Sequence, residues 1–160
     1  MAIKRMNHAV LYVRDAERTA AFYQDVLGFR TVMGFPGAVF LQAPDSTNDH
    51  DLGLFSIGEG AGPPSAGRTT VGLYHLAWEV GTLADLAEAG RQLQAAGALV
   101  GASDHVSTKS LYAKDPDGLE FEVCWVVPAD LLPADAQVGT FPLDLDRELE
   151  HFGPLTPGGR

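Results

Sequence analysis

The sequence predicts an α+β protein assembled from two copies of one strand–helix–three-strand unit, with a short C-terminal extension. Three observations carry that prediction. An alternating segment with a histidine near its start occurs twice, as Asn7-His8-Ala9-Val10-Leu11-Tyr12-Val13 and as Tyr74-His75-Leu76-Ala77-Trp78-Glu79-Val80, with the two histidines 67 residues apart. Each segment precedes a capped helical pattern that a glycine closes, and each helical pattern precedes three short strand-like runs.

The elements follow in order. A first strand is expected over 6–13. Asp15 supplies the short acceptor that caps a helix start, and Ala16, Ala20, Tyr23 and Leu27 recur on one helical face before Gly28 ends it. Strands are then expected over 30–34, 38–42 and 51–57. Residues 58–70 are rich in Gly, Pro and Ser and read as an exposed connection. The second copy opens with a strand over 73–80. Thr82 caps a helix lined by Leu83, Leu86, Ala87, Gly90 and Leu93, and Gly97 closes it. Strands follow over 98–102, 110–114 and 119–126, with the turn signal Asp115-Pro116-Asp117-Gly118 between the last two. The result is βαβββ twice: modules at about 3–57 and 71–127 within one domain 1–127, a linker 58–70, and an extension 128–160. In the extension a short acidic helix is expected over 143–152 and a loose end over 154–160, with no chemistry assigned. Its expected job is to cover a sheet edge or a partner subunit.

Composition bounds the partners. A chain of 160 residues suits one domain with a real core. Its 21 acidic against 11 basic side chains, a net charge of −10, argue against nucleic acid or an anionic membrane, which need clustered cations. No apolar run approaches the roughly 20 residues of a membrane span. Lys4 and Arg5 lead straight into a strand pattern rather than a signal-peptide core. The single cysteine, Cys124, leaves no internal disulfide and suits a reducing compartment, so a cytoplasmic location is expected.

Strand alternation gathers the candidate chemistry. His8 shares a face with Met6, Val10 and Tyr12, His75 with Ala77 and Glu79, and on the last strand Glu120, Glu122 and Cys124 point one way. The opposite faces are apolar enough to seat the helices. A lone strand histidine is more often a hydrogen-bonded structural residue than a ligand. Its recurrence at the same place in two units, with an acid on the matching face of the closing strand, brings a divalent metal with coordination positions left open level with the structural reading.

The repeat, the stretch Phe22-Tyr23 through Leu27-Gly28-Phe29, and Asp115-Pro116-Asp117-Gly118 with Glu122 resemble the vicinal oxygen chelate superfamily over residues 3–127. That superfamily includes glyoxalase I, bleomycin and fosfomycin resistance proteins, and extradiol catechol dioxygenases. The resemblance implies a glyoxalase/bleomycin resistance/dioxygenase fold, in which paired βαβββ modules form a curled mixed-sheet cup. It implies His8, His75 and Glu122 as metal ligands, Glu122 being preferred to Glu120 because it stands four residues past Gly118.

Further segments resemble the dioxygenase branch. His50-Asp51-Leu52-Gly53-Leu54 is similar to the segment bearing that branch's acid/base histidine. Asp104-His105-Val106-Ser107 with Ser110-Leu111-Tyr112 is similar to the one bearing its supporting His and Tyr, Tyr112 lying ten residues before Glu122. The implied activity is ring opening of a small catechol-like diol with O2. Iron(II) is the implied metal; manganese, nickel, cobalt or zinc suits the same ligands. His50 is then the proton shuttle, since imidazole exchanges protons near neutral pH, and His105 and Tyr112 are hydrogen-bond donors. His151 reads as a surface residue. A homodimer or higher homo-oligomer is the implied assembly.

Two other readings stand beside this one. A glyoxalase-type isomerase usually needs a carboxylate in the last strand of the first module, where Leu52-Gly53-Leu54-Phe55-Ser56-Ile57 has none and Glu59 lies beyond. A non-enzymatic drug-binding protein would leave both histidines and Glu122 unexplained, and parity sends Trp78 and Trp125 to the helix layer. Phosphonate chemistry lacks a basic cluster, Lys109 and Lys114 being the nearby cations.

Overall fold

The computed structural model describes residues 1–65, 69–137 and 139–159. Residues 66–68 of the expected linker and the last residue of the expected loose end lie outside the described residues. The chain divides into two compact units, Met1–Pro64 with Pro116–Gly118, and Ser65–Asp115 with Leu119–Arg160.

In the first unit, β1 (Ala9–Val13) leads to α1 (Ala16–Leu27), β2 (Arg30–Phe35), β3 (Ala38–Gln42) and β4 (Leu52–Ser56). The strands form an open mixed sheet in the order β1-β4-β3-β2, with β1 and β4 parallel and Ala9 opposite Leu52. Asp15 caps α1 by accepting from the backbone N–H of Glu17 and Arg18, and Gly28 ends it in the left-handed conformation, φ 71°. The core lies between α1 and one face of the sheet, where Leu11, Val13, Leu41, Leu52 and Leu54 meet Ala16, Ala20 and Tyr23. Pairing register puts Val10, Tyr12, Met33, Phe35, Phe40 and Phe55 on the other face. Arg14 and Arg18 both reach Asp117, at 2.9 and 2.8 Å.

The second unit repeats the plan: β5 (Leu76–Glu79), α2 (Leu83–Ala95), β6 (Leu99–Asp104), β7 (Thr108–Lys114) and β8 (Glu120–Val126), in the sheet order β5-β8-β7-β6. Thr82 and Asp85 form a reciprocal capping box at the start of α2. Phe121, Val123 and Trp125 of β8 are buried with Leu83, Leu86 and Leu93 of α2, so both expected strand faces are realised. Among the described residues no helix is long and apolar enough to cross a membrane.

Two expectations are corrected. Strands expected over 6–13 and 73–80 begin only at Ala9 and Leu76, so His8 and His75 each sit one residue before a strand. Alternation in sequence extends past the point where a parallel partner is present to bond. The helix expected over 143–152 is present, but the residues from Pro154 on depart from a loose end. After a short 3₁₀ turn, Ala129–Leu131, the extension forms α3 (Leu145–Phe152), and the residues beyond are pinned to the second unit. Ala84 N–H donates to Pro154 O at 2.9 Å, Gly158 N–H to Gly81 O at 2.8 Å and the Trp125 indole to Thr156 O at 3.3 Å. These are backbone carbonyl and N–H partners, which no residue type in the tail announces. The expected edge cover is present, because Phe141 pairs with Asp104 of the edge strand β6.

Lys109 joins this extension to the sheet. Its side chain is 5% exposed, and Nζ lies 2.7 Å from Asp104 Oδ1 and 3.0 Å from Glu148 Oε2 of α3. A buried ammonium without partners is costly, but removing it strands two carboxylates. It is thereby committed to structure and not to an anionic substrate. Lys109→Ala is expected to lower unfolding stability by about 3–5 kcal/mol, read from a urea melt; a change within 0.5 kcal/mol, the usual range of a surface substitution, would show the cluster to be ornamental.

Candidate functional site

The helix-free face of each sheet carries a histidine group. In the first unit, the parallel pairing of β1 with β4 brings the residues just before these strands side by side. The His8 and His50 rings lie 4.4 Å apart at 33°. The edge of Phe40 meets His50 at 5.2 Å, and Phe40 in turn packs against Phe35 and Phe55. His8 Nδ1 is 2.7 Å from Asn7 Oδ1, an acceptor that fixes the proton on Nδ1 and leaves Nε2 with a free lone pair. His50 Nδ1 is 3.2 Å from Asp49 Oδ2. The His50 backbone N–H, and then the charge of its ring, hold the exposed Asp49 carboxyl below its ordinary range.

Sequence reasoning missed what places His50. Buried Asp51 accepts from Ser46 Oγ at 2.8 Å, Asn48 Nδ2 at 2.7 Å and Ala43 N–H at 2.9 Å, and so gathers the polar loop before β4. Asn48 Nδ2 also donates to Asn7 O at 2.8 Å, tying that loop to the residue beside His8. The loop is therefore an ordered one, and the His50 side chain is 15% exposed. The signal was available: an acid directly before an apolar strand needs donors if it is buried.

In the second unit, β5 and β8 run parallel with Ala77 opposite Glu122, and β7 places Tyr112 directly opposite Glu122. His75 Nε2 lies 3.0 Å from Glu122 Oε2. Tyr112 Oη lies 2.8 Å from His105 Nε2, and the Tyr112 ring stands 5.9 Å from that of His75. Burial, then the Glu122 charge, raise the Tyr112 phenol. Burial, with Glu122 and Glu79, pushes the Cys124 thiol up to about 12, so it is a neutral neighbour. Glu120 is engaged by Lys114 at 3.5 Å. Exposed His151 packs on Phe152 at 4.4 Å and takes no part.

The six predicted site residues thus fall into two sets: His8 with His50, and His75 with Glu122, Tyr112 and His105. Among the described residues no three His, Cys, Asp or Glu side chains gather into a metal-holding group. The second set fits one half of such a centre. Two ligands at right angles on an octahedral ion, each roughly 2.1 Å away, stand about 3.0 Å apart, and His75 Nε2 and Glu122 Oε2 have that separation. As a plain hydrogen bond the same contact puts the proton on Nε2; with a metal on Nε2 the proton moves to Nδ1, and in either case His75 Nδ1 is a buried nitrogen without a hydrogen-bond partner among the described residues.

Comparison with known proteins agrees with this fold. The family model of the glyoxalase/bleomycin resistance protein/dioxygenase superfamily matches residues 5–123, and the chain belongs to that superfamily. Two curated relatives are dioxygenases. Biphenyl-2,3-diol 1,2-dioxygenase 3 of Rhodococcus globerulus is 36% identical over 115 residues, 71% of this chain and 59% of the relative. Catechol-2,3-dioxygenase of Bacillus subtilis (strain 168) is 28% identical over 156 residues, 92% of this chain and 52% of the relative. The chain therefore spans between half and three-fifths of the length of these two relatives. A glyoxylase/bleomycin resistance protein/dioxygenase domain from Frankia sp. EAN1pec has the same fold, with a TM-score of 0.64 at 21% identity, covering 80% of this chain and 96% of that one.

Asp51→Ala removes three charge-assisted hydrogen bonds from the His50 loop. It is expected to cost about 2–4 kcal/mol and to speed amide exchange of residues 43–50 selectively; uniform exchange across the unit would contradict the anchoring role.

Proposed function

We propose that the chain is a metal-dependent dioxygenase that opens a catechol-like aromatic ring beside its diol, in the extradiol manner, with iron(II) as the working metal. The observation that carries the reading is the 3.0 Å approach of His75 Nε2 to Glu122 Oε2 with Tyr112 alongside. The names of the two relatives support it. His8, whose Nε2 lone pair is free, is proposed as the third ligand. Two imidazoles and one carboxylate are the donor set of non-haem iron(II) oxygenases.

Bound by these residues, iron(II) would supply open coordination positions for the diol and for dioxygen and a path for electrons from the diol, the net reductant, to O2. The protein does the rest. Two neutral imidazoles and one carboxylate leave a divalent ion one positive charge, which favours a deprotonated diol. His50 accepts a hydroxyl proton and returns it during ring opening, a role suited to imidazole. The Phe40 edge and the Asp49 carboxylate hold that ring in place. Within the first unit Phe35, Phe40 and Phe55 form an aromatic cluster that reaches His50 through Phe40. One carbon–carbon bond adjacent to the diol breaks, and both atoms of O2 enter the product.

The test is anaerobic reconstitution with iron(II), then a panel of catechols in air. The expected result is uptake of one O2 per diol with a yellow ring-opened product. Isomerisation of a hemithioacetal without oxygen uptake would replace this reading with the glyoxalase one. His8→Ala and Glu122→Ala are each expected to lose bound iron on gel filtration, and full retention by either would remove that residue from the ligand set. His50→Ala should keep its iron but turn over about 10²–10⁴-fold more slowly; an unchanged kcat would exclude His50 from proton transfer.

A further inference from the structure

The extension reaches the Tyr112 group through a backbone carbonyl. Gly139 O lies 3.1 Å from His105 Nδ1, with Thr140 Oγ1 at 3.3 Å from the same nitrogen. A carbonyl only accepts, so Nδ1 carries the proton and the threonine hydroxyl can share it as a second acceptor. In the neutral ring Nε2 is then a lone pair, and the only proton available for the 2.8 Å contact is that of Tyr112.

The segment bearing this carbonyl is held in register. Phe141 and Asp104 exchange two backbone hydrogen bonds of 2.9 Å each, an isolated antiparallel bridge at the end of the β6 edge. The turn bearing His105 is held as firmly. Val106 has a φ of 69°, a conformation that disfavours a β-branched residue and costs on the order of 1–3 kcal/mol. Asp104 Oδ1 accepts from Val106 N–H at 2.7 Å and from Lys109 Nζ at 2.7 Å, and Lys109 also reaches Glu148 of α3. Strain of this kind persists only where the surroundings over-determine it. The extension grips the His105 turn at both places.

We infer that the C-terminal extension is a positioning element of the candidate site: the Gly139 carbonyl fixes the His105 tautomer, and His105 Nε2 thereby claims the Tyr112 hydroxyl proton. Two consequences follow. His105 acts through Tyr112 and not on a substrate itself. Tyr112, with its proton committed, meets any ligand near Glu122 as an acceptor, matched to a hydroxyl that still holds its hydrogen. The tautomer assignment needs no activity; its effect on turnover rests on the dioxygenase reading.

The test is long-range proton–nitrogen NMR of the imidazoles in the full chain without substrate, in the neutral to alkaline range. Neutral His105 is expected to carry its proton on Nδ1. A proton on Nε2, or a ring charged throughout that range, overturns the inference, whatever the protein proves to catalyse. Phe141→Pro deletes the donor that pairs with Asp104 O and should shift His105 toward the Nε2-protonated form, whereas Phe141→Ala should leave it as in the parent; an unshifted tautomer in a folded Phe141→Pro protein also overturns it. Should that variant fail to fold, the parent spectrum alone decides. In turnover, His105→Asn is expected to lose about 10–100-fold in kcat. His105→Gln, whose amide oxygen can stand where Nε2 stood, should recover most of it. Equal losses in the two variants would contradict a role exerted through Tyr112.

Discussion

Strand β8 can bury Phe121, Val123 and Trp125 against the helices only by turning Glu122 to the other face. That alternation is the constraint on which the rest depends. Parallel pairing with β5 starts one residue after His75 and sets that imidazole beside the carboxylate at 3.0 Å. Antiparallel pairing with β7 sets Tyr112 opposite the same acid. A shift of one residue in either register would send these groups into the core. The apolar core and the polar group are therefore specified together.

The two units share a plan and differ in what their free faces carry. The first presents an imidazole pair bordered by three phenylalanines, and Val10 and Tyr12 on that face are 51% and 73% exposed. The second presents an imidazole, a carboxylate, a phenol and a thiol. Desolvation and the carboxylate charge keep both the phenol and the thiol protonated, and Glu122 is the carboxylate that meets His75. One unit is suited to contact with an apolar ring, the other to cations and protons.

Much of this was legible in the sequence where side chains decide the outcome. Asp15, Gly28 and Thr82 mark helix ends because their cap bonds are local, and 38–42 is read to the residue. The faces of β1 and β8 follow from period-two burial alone. The strand starts at Ala9 and Leu76 were not legible, because they depend on where a distant parallel partner begins. Asp51 was hidden inside an expected strand, its role being set by donors three to eight residues upstream. The extension gave least away, since Pro154, Thr156 and Gly139 act through carbonyls that every residue has. The histidines near the two strand starts were visible as a repeat, and strand parity with the family resemblance singled out Glu122 and His50; the stacking of His50 on His8 and the 3.0 Å approach of Glu122 to His75 depend on strand pairing that no local signal announces.

The most direct test of the central claim is a crystal structure of the iron(II)-loaded protein with data collected at the iron edge. The account predicts an anomalous peak within about 2.2 Å of both His75 Nε2 and Glu122 Oε2. A peak that touches neither atom, or iron bound at full stoichiometry elsewhere on the chain, would contradict it.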